Sequence, residues 1–488
     1  MLSSFRLPEN ERMCILALAL VFLLTRLPIL FTMPFVQDEG LYSIMIGEQR
    51  LHPALIPTFL DSQVSWKPPL FFWAYAAFPE LPISPEASFR LPSFLFGLAT
   101  VPLLYMFLRN TGASKNISFF TVLIFLLSLP SIYPNSALLT DTLLFFFICA
   151  SLYLYSEGRF GDWRFAAAGA LAFCAFFTKL VIAVIVPLLV LAYFYQKRKE
   201  ILRNRIFLLS LLAVPLAFAC HFLLLETSAM GKQLYLSDIG GHLVTSSITD
   251  QLGTFIGSLV VFIFGAGIWF ALSLFGLWRF WRDNLVMSLW YLLTIFPMLT
   301  GYYMVWYYLP VMPAIAYFAA LTLLKWDGKE KPDLFFAFFF CLAATLILAG
   351  IIMFYFNIYS SYLPEKEAGT LLSGKENVLI AGGYKPAMLS YKVLPEMEVG
   401  RRLDFGLIIA PTGLPSENMS RLLQDYLSPE PATIDGSFSA LFTSNSTFRK
   451  STNITSFDYV ALVDYPELVP QNAQIIYNRS NITIYRVK

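Results

Sequence analysis

The sequence predicts a polytopic α-helical membrane protein of about 11 transmembrane helices, followed by a small C-terminal extracytoplasmic α/β domain. Three observations carry this. Of the 488 residues, 57% are hydrophobic, and mean hydropathy is +0.64. Only 14% are charged, against roughly 25% in an ordinary soluble domain. Apolar runs approaching the ~20 residues of a spanning helix recur from residue 13 to residue 357, and short alternating runs replace them thereafter. A net charge of +2 excludes a strongly basic protein, so nucleic acid is not an expected partner. The five cysteines all lie in apolar runs without a CxxC spacing, which argues for neither a zinc site nor a disulfide framework.

The candidate spans are 13–33, 91–108, 117–133, 139–155, 164–179, 181–195, 206–225, 254–276, 285–301, 308–324 and 334–357. The first has no small-residue cleavage pattern and reads as a retained helix. An odd number of spans puts the termini on opposite sides. One set of loops, from Arg6 and Arg12 through the Lys197–Arg205 cluster to Lys325, Lys329 and Lys331, holds sixteen basic residues; the alternate set holds five. The basic set should be cytoplasmic, which makes the N-terminus cytoplasmic and the C-terminal region extracytoplasmic. Five Asn-x-Ser/Thr sequons at Asn418, Asn445, Asn453, Asn478 and Asn481 agree with that side.

Two domains follow. Residues 1–357 form the transmembrane unit, with 34–89 as a first outer loop carrying interfacial helices. Residues 358–488 form a small α/β unit. Within it "NVLIAGG", "DFGLIIAP", "DYVALVD", "AQIIYN" and "NITIYRV" read as strands, and "ENMSRLLQDYL" reads as a helix.

Ionisable side chains kept near a membrane are functional candidates by default. Here Asp38, Glu39, Lys67, Arg90, Asp141, Lys179 and His242 all fall at the outer ends of different spans. Asp38–Glu39 precede Leu41, Ile44 and Met45 at helical spacing, so the pair opens a short helix along the outer surface. Such acids could simply complement the helix dipole. Two close carboxylates can also push their proton affinities apart, leaving one as base or cation ligand. Lys67 stands before Pro68–Pro69, which drive it to extended geometry and fix its direction. The aromatic run "LFFWAYAAF" then suits the headgroup boundary, so Lys67 reads either as a clamp for a lipid phosphate or as an ordinary snorkelling lysine. Asp141 could cap the helix after it. Lys179 interrupts an apolar stretch too long for one ordinary span, and reaches a polar cavity or snorkels outward. His242 is a lone loop histidine, as readily a plain surface residue.

"QDEGLY", "KPPLFFW", "SFRLPSFLFG", "LLTDTLLFFF", "FFTKLVIAVIVPLLV" and "WYYLPVMPAIAYFAA" together resemble the GT-C glycosyltransferases. The likeness is to the branch containing protein O-mannosyltransferases and the aminoarabinose transferases of lipid A, and it covers about residues 10–325. It implies a sugar donor on a polyprenyl or dolichyl phosphate, used on the outer face of the membrane. It gives Asp38 the catalytic role with Glu39 as partner, and places Asp141 beside the acceptor. Lys67 and Lys179 would contact the donor phosphate, with Arg90 bracing the site at that phosphate. Tyr307 and Tyr308, with His242, would line the lipid-head pocket. The sequence departs from the pattern at Leu180, where the family usually has glycine, and in "GYYMVWYYLP", which lacks the usual basic residue. The Trp-Trp-Asp-Tyr-Gly signature of oligosaccharyltransferases is absent, which disfavours whole-glycan transfer.

The expected activity is inverting transfer of a sugar to a protein, lipid or glycan hydroxyl. A divalent ion at Asp38 and Glu39 is compatible with the sequence, but no ligand pattern requires one. The competing class is a transporter or flippase of a charged lipid or glycolipid. Against it, there is no convincing internal repeat, and the charges sit at outer span ends.

Overall fold

The computed structural model describes residues 9–59, 62–63, 67–78, 81–157, 161–179, 181–226, 256–257, 259–260, 263, 265–300, 305–325, 334–376, 378–382, 385–398, 405–409, 448–450, 458–464 and 473–487. The expected helix at 417–427 and His242 lie outside these residues.

The helices are α1 (Glu9–Thr32), α2 (Asp38–Leu51), α3 (Leu70–Ala76), α4 (Pro85–Thr111), α5 (Lys115–Leu126), α6 (Leu129–Ile132), α7 (Thr140–Ser156) and α8 (Trp163–Phe176). They continue as α9 (Ile185–Lys197), α10 (Arg205–Leu211), α11 (Ala213–Glu226), α12 (Ile268–Phe280), α13 (Leu285–Thr300), α14 (Met312–Leu324), α15 (Leu334–Leu372) and α16 (Pro386–Glu398). Helix stands at each predicted span where residues are described. By length and composition, however, three stretches among the described residues qualify to cross a membrane: α1, α4 and the joined α10–α11. The pair α5–α6, bent by 76°, would make a fourth, and six other apolar helices have only 10–17 residues.

Local chemistry explains the best-defined boundaries. The Ser84 side chain accepts a hydrogen bond from the Ala87 amide, with Pro85 in the first turn, and Gly112 at φ 98° ends α4. Helices approach closely where a side chain is missing. A Cβ on Gly276 of α12 would lie 2.2 Å from the Phe318 carbonyl oxygen of α14, the small-residue packing that membrane helices favour. The bundle core includes the fully buried Trp269, Trp290 and Tyr308.

After residue 357 the expected domain boundary does not break the chain, because α15 runs on unbroken to Leu372. Strands β3 (Val378–Gly382), β4 (Phe405–Ile409), β5 (Phe448–Lys450), β6 (Tyr459–Val463), β7 (Gln474–Arg479) and β8 (Ile482–Arg486) form one sheet in the order β5-β4-β3-β6-β8-β7. β3 pairs in parallel with β4 and β6, and the remaining pairs are antiparallel. All five expected strands are present. β5 and α16 are additions, as is a two-residue hairpin ladder, β1 (Thr58–Phe59) with β2 (Ser62–Gln63), in the 34–89 loop.

A second hydrophobic core joins the 34–89 loop to this sheet. It contains Phe35, Ile44 and Phe71 from the loop, Ala368 and Leu372 from α15, Val393 from α16, and Val463 and Ile484 from the sheet. Consequently α2 is not an interfacial helix. Every residue from Glu39 to Gln49 is buried, because α16 covers the face that the amphipathic pattern had assigned to the membrane surface. A Cβ on Gly40 would lie 2.4 Å from the Pro386 carbonyl, so only glycine admits this contact.

Candidate active site

The chain enters α2 through Gln37, whose φ of 29° and ψ of −103° place it outside the conformations side chains prefer. Such strain persists where surroundings over-determine the backbone, as functional sites do. It falls directly before Asp38.

The two adjacent acids have opposite surroundings. The Glu39 carboxylate is 1% exposed and takes both Nε (2.7 Å) and Nη2 (2.6 Å) of Arg90. It also accepts the Val36 amide at 2.9 Å and the Leu138 amide at 2.7 Å. Arg90 in turn donates to the Met33 carbonyl at 2.6 Å and the Pro34 carbonyl at 2.7 Å. A bidentate pair of this kind is geometrically specific. It pins the loop between α1 and α4 to α4 and to the segment entering α7. Asp38 is half-buried, and among the described residues no hydrogen-bond donor or salt-bridge cation reaches its carboxylate.

Asp141 lies three residues beyond Leu138 and is buried in the first turn of α7. Its Oδ1 accepts from Lys179 Nζ at 2.7 Å, and that ammonium also lies 4.2 Å from the Tyr307 ring centre. Three sequence-predicted residues from three separate segments therefore meet. Lys179 occupies the break between α8 and α9 and remains about one-third exposed at 32%. The Lys67 ammonium donates to the Tyr42 hydroxyl. Tyr42 stands one helical turn after Asp38, on the same face of α2. The two groups are joined by Glu39, which ties the Asp38 loop to the Asp141 segment. The Trp73 and Phe177 rings, 6.0 Å apart, join α3 to the Lys179 break.

One expected placement is narrowed and another differs. Arg90 is 1% exposed with its guanidinium engaged by the loop, so its position gives it the bracing part rather than a face toward a phosphate. Tyr308 is fully buried in the helical core, leaving Tyr307 as the member of the pair at Lys179. Two residues were not foreseen. Tyr42 could have been found from its four-residue spacing after Asp38. Tyr362 of α15, within electrostatic reach of Asp38 and Glu39, comes from a distant segment and left no local signal. Among the described residues, no cluster of three His, Cys, Asp or Glu side chains could hold a metal ion.

This arrangement is held on a helical bundle capped by a sheet. Residues 42–225 match the family model described as dolichyl-phosphate-mannose-protein mannosyltransferase. Among solved structures, ArnT from Cupriavidus metallidurans in the apo state is similar over 97% of both chains, with a TM-score of 0.60 and 15% identity. ArnT bound to undecaprenyl phosphate is similar over 99% of both chains, with a TM-score of 0.62 and 14% identity. No curated protein sequence matches the chain. The likeness to GT-C transferases drawn from the motifs therefore holds, and the fold along the whole chain is ArnT-like.

Proposed function

We propose that this protein moves a sugar from a polyprenyl- or dolichyl-phosphate donor to an acceptor hydroxyl on the outer face of the membrane, with inversion. The observation that carries the reading is the divided fate of the acid pair. Glu39 is saturated by Arg90 and two amides, whereas Asp38 is half-exposed and, among the described residues, open to take a proton as a general base does. The matched family and the undecaprenyl phosphate held by the ArnT relative support a lipid-phosphate donor. The basic-residue bias supports a cytoplasmic N-terminus and an extracytoplasmic site.

In the reaction, the acceptor oxygen attacks the anomeric carbon and the hydroxyl proton passes to Asp38. The bond from that carbon to the phosphate oxygen breaks, and its electron pair leaves with the lipid phosphate. Lys67 and Lys179 stabilise the charge that grows there, and preorganised cations of this kind typically contribute several kcal/mol to a barrier. Lys179, already held by Asp141 and Tyr307, needs little reorganisation. Any divalent ion would find Asp38 as the available carboxylate, since the Glu39 oxygens are occupied. Protein, lipid and glycan hydroxyls all suit this chemistry.

The test is transfer from a lipid-phosphate sugar in membranes. Asp38→Asn should lower the rate by about 10²–10⁴. Near-normal transfer by that variant would remove Asp38 from the reaction.

A further inference from the structure

The loop before Asp38 is also held from its outer side. The Phe35 amide, three residues ahead of Asp38, donates to the Tyr391 hydroxyl of α16 at 2.8 Å. That hydroxyl donates onward to Glu86 Oε1 at 2.8 Å, and Lys366 of α15 donates to the same oxygen at 2.5 Å. The Phe35 and Tyr391 rings pack with centres 5.4 Å apart. Two residues past Asp38, Gly40 lies flush against Pro386 at the start of α16. The segment bearing Asp38 is thus gripped by Glu39–Arg90 on the bundle side and by α16 on the other.

We infer that Tyr391, on the C-terminal sheet domain and outside the matched family segment, is a positioning residue that sets the backbone from which Asp38 acts. The inference rests on the reading of Asp38 as the base. Tyr391 is suited to this because it is one group with two directed bonds. Its oxygen accepts the loop amide while its proton goes to Glu86. Burial, and then the Glu86 charge, hold the phenol well above its ordinary pKa, so that proton stays in place at any working pH. Once the bond is lost, the Phe35 amide, buried behind the ring, has no replacement from water. The strained Gln37 is then free to relax, and Asp38 moves with it.

Tyr391→Phe keeps the ring and removes only the hydroxyl. Amide hydrogen exchange over residues 33–41 should quicken roughly five- to tenfold, while protection over 312–324 in the bundle stays as in the parent. Transfer, expressed per folded protein, should show kcat reduced by a similar factor and KM for the lipid-phosphate sugar unchanged; loss of folded protein, which also lowers apparent kcat alone, is told apart by the protection over 312–324. Gly40→Ala, which pushes α16 off α2 from the other contact, should give the same paired signature. Unchanged exchange over 33–41 overturns the proposal, as does faster exchange with full kcat, or loss of protection over 312–324 as well. If the parent protein transfers no sugar, the proposed function fails, while the exchange measurement still decides whether Tyr391 holds the loop.

Discussion

Asp38 and Glu39 share one helical turn, yet their surroundings are opposite, and the difference is measurable without any substrate. Removing one partner of a buried pair strands the other charge, at a cost of about 3–5 kcal/mol. Glu39→Gln or Arg90→Met should therefore lower the thermal unfolding midpoint in detergent substantially. Asp38→Asn, at a half-exposed group with no partner to strand among the described residues, should leave the midpoint near the parent value. Equal midpoints for Glu39→Gln and Asp38→Asn would show that the Glu39–Arg90 pair does not anchor the loop. At this scale the sequence was partly legible. An acid pair at a span end, with cations at other span ends, is a pattern of type and position that needs no coordinates. Which acid turns inward depends on where Arg90 and the Leu138 amide arrive, fifty-one and ninety-nine residues away, and no local pattern encodes that.

Helices and their breaks carry the cations. Pro68–Pro69 stand between Lys67 and the start of α3 at Leu70, so the lysine leaves the chain in one direction toward Tyr42. A preset direction matters because a small misplacement of a catalytic group is expensive in rate. Pro68→Ala loosens that direction without removing the charge, and should raise KM for the donor about three- to tenfold. Lys67→Met should reduce kcat/KM far more. Equal effects of the two substitutions in steady-state transfer would mean that the prolines do not aim the lysine. Legibility at this scale followed local rules. Five of the six described strands of the C-terminal sheet are legible from alternation and turn residues, and β5 is the one that is not. The amphipathic face of α2 was recognised but assigned to the membrane boundary, because the sequence could not show that α16 covers it. The boundary at residue 357 followed the end of the apolar run, whereas α15 continues as a half-buried helix. Its inward residues, Pro364 and Glu365, Ala368 and Gly369, then Leu372, keep helical spacing while their polarity changes.

At the scale of the molecule, that continuous α15 joins the bundle to the sheet, and Glu365 sits at the joint. Its Oε2 is buried without a hydrogen-bond partner among the described residues, and Lys385 Nζ stands 3.7 Å from Oε1. Burial dominates, raising its pKa from 4.5 to about 7; Lys385 and the Met388 amide oppose the rise and Asp464 adds to it. A carboxyl whose folded pKa lies above its unfolded value binds more protons when folded. Its contribution to stability is therefore complete below about pH 4.5 and is lost as pH rises through about 7. The shift corresponds to roughly 3 kcal/mol at full effect. Glu365→Gln removes the ionisation while keeping shape. The variant should match the parent in thermal unfolding near pH 4 and gain a growing advantage up to pH 8. A parent-minus-variant difference that stays flat across this range would mean that Glu365 is not held protonated at the joint. An advantage that grows toward acid instead would mean that Lys385 outweighs burial, making the joint a stabilising ion pair at neutral pH.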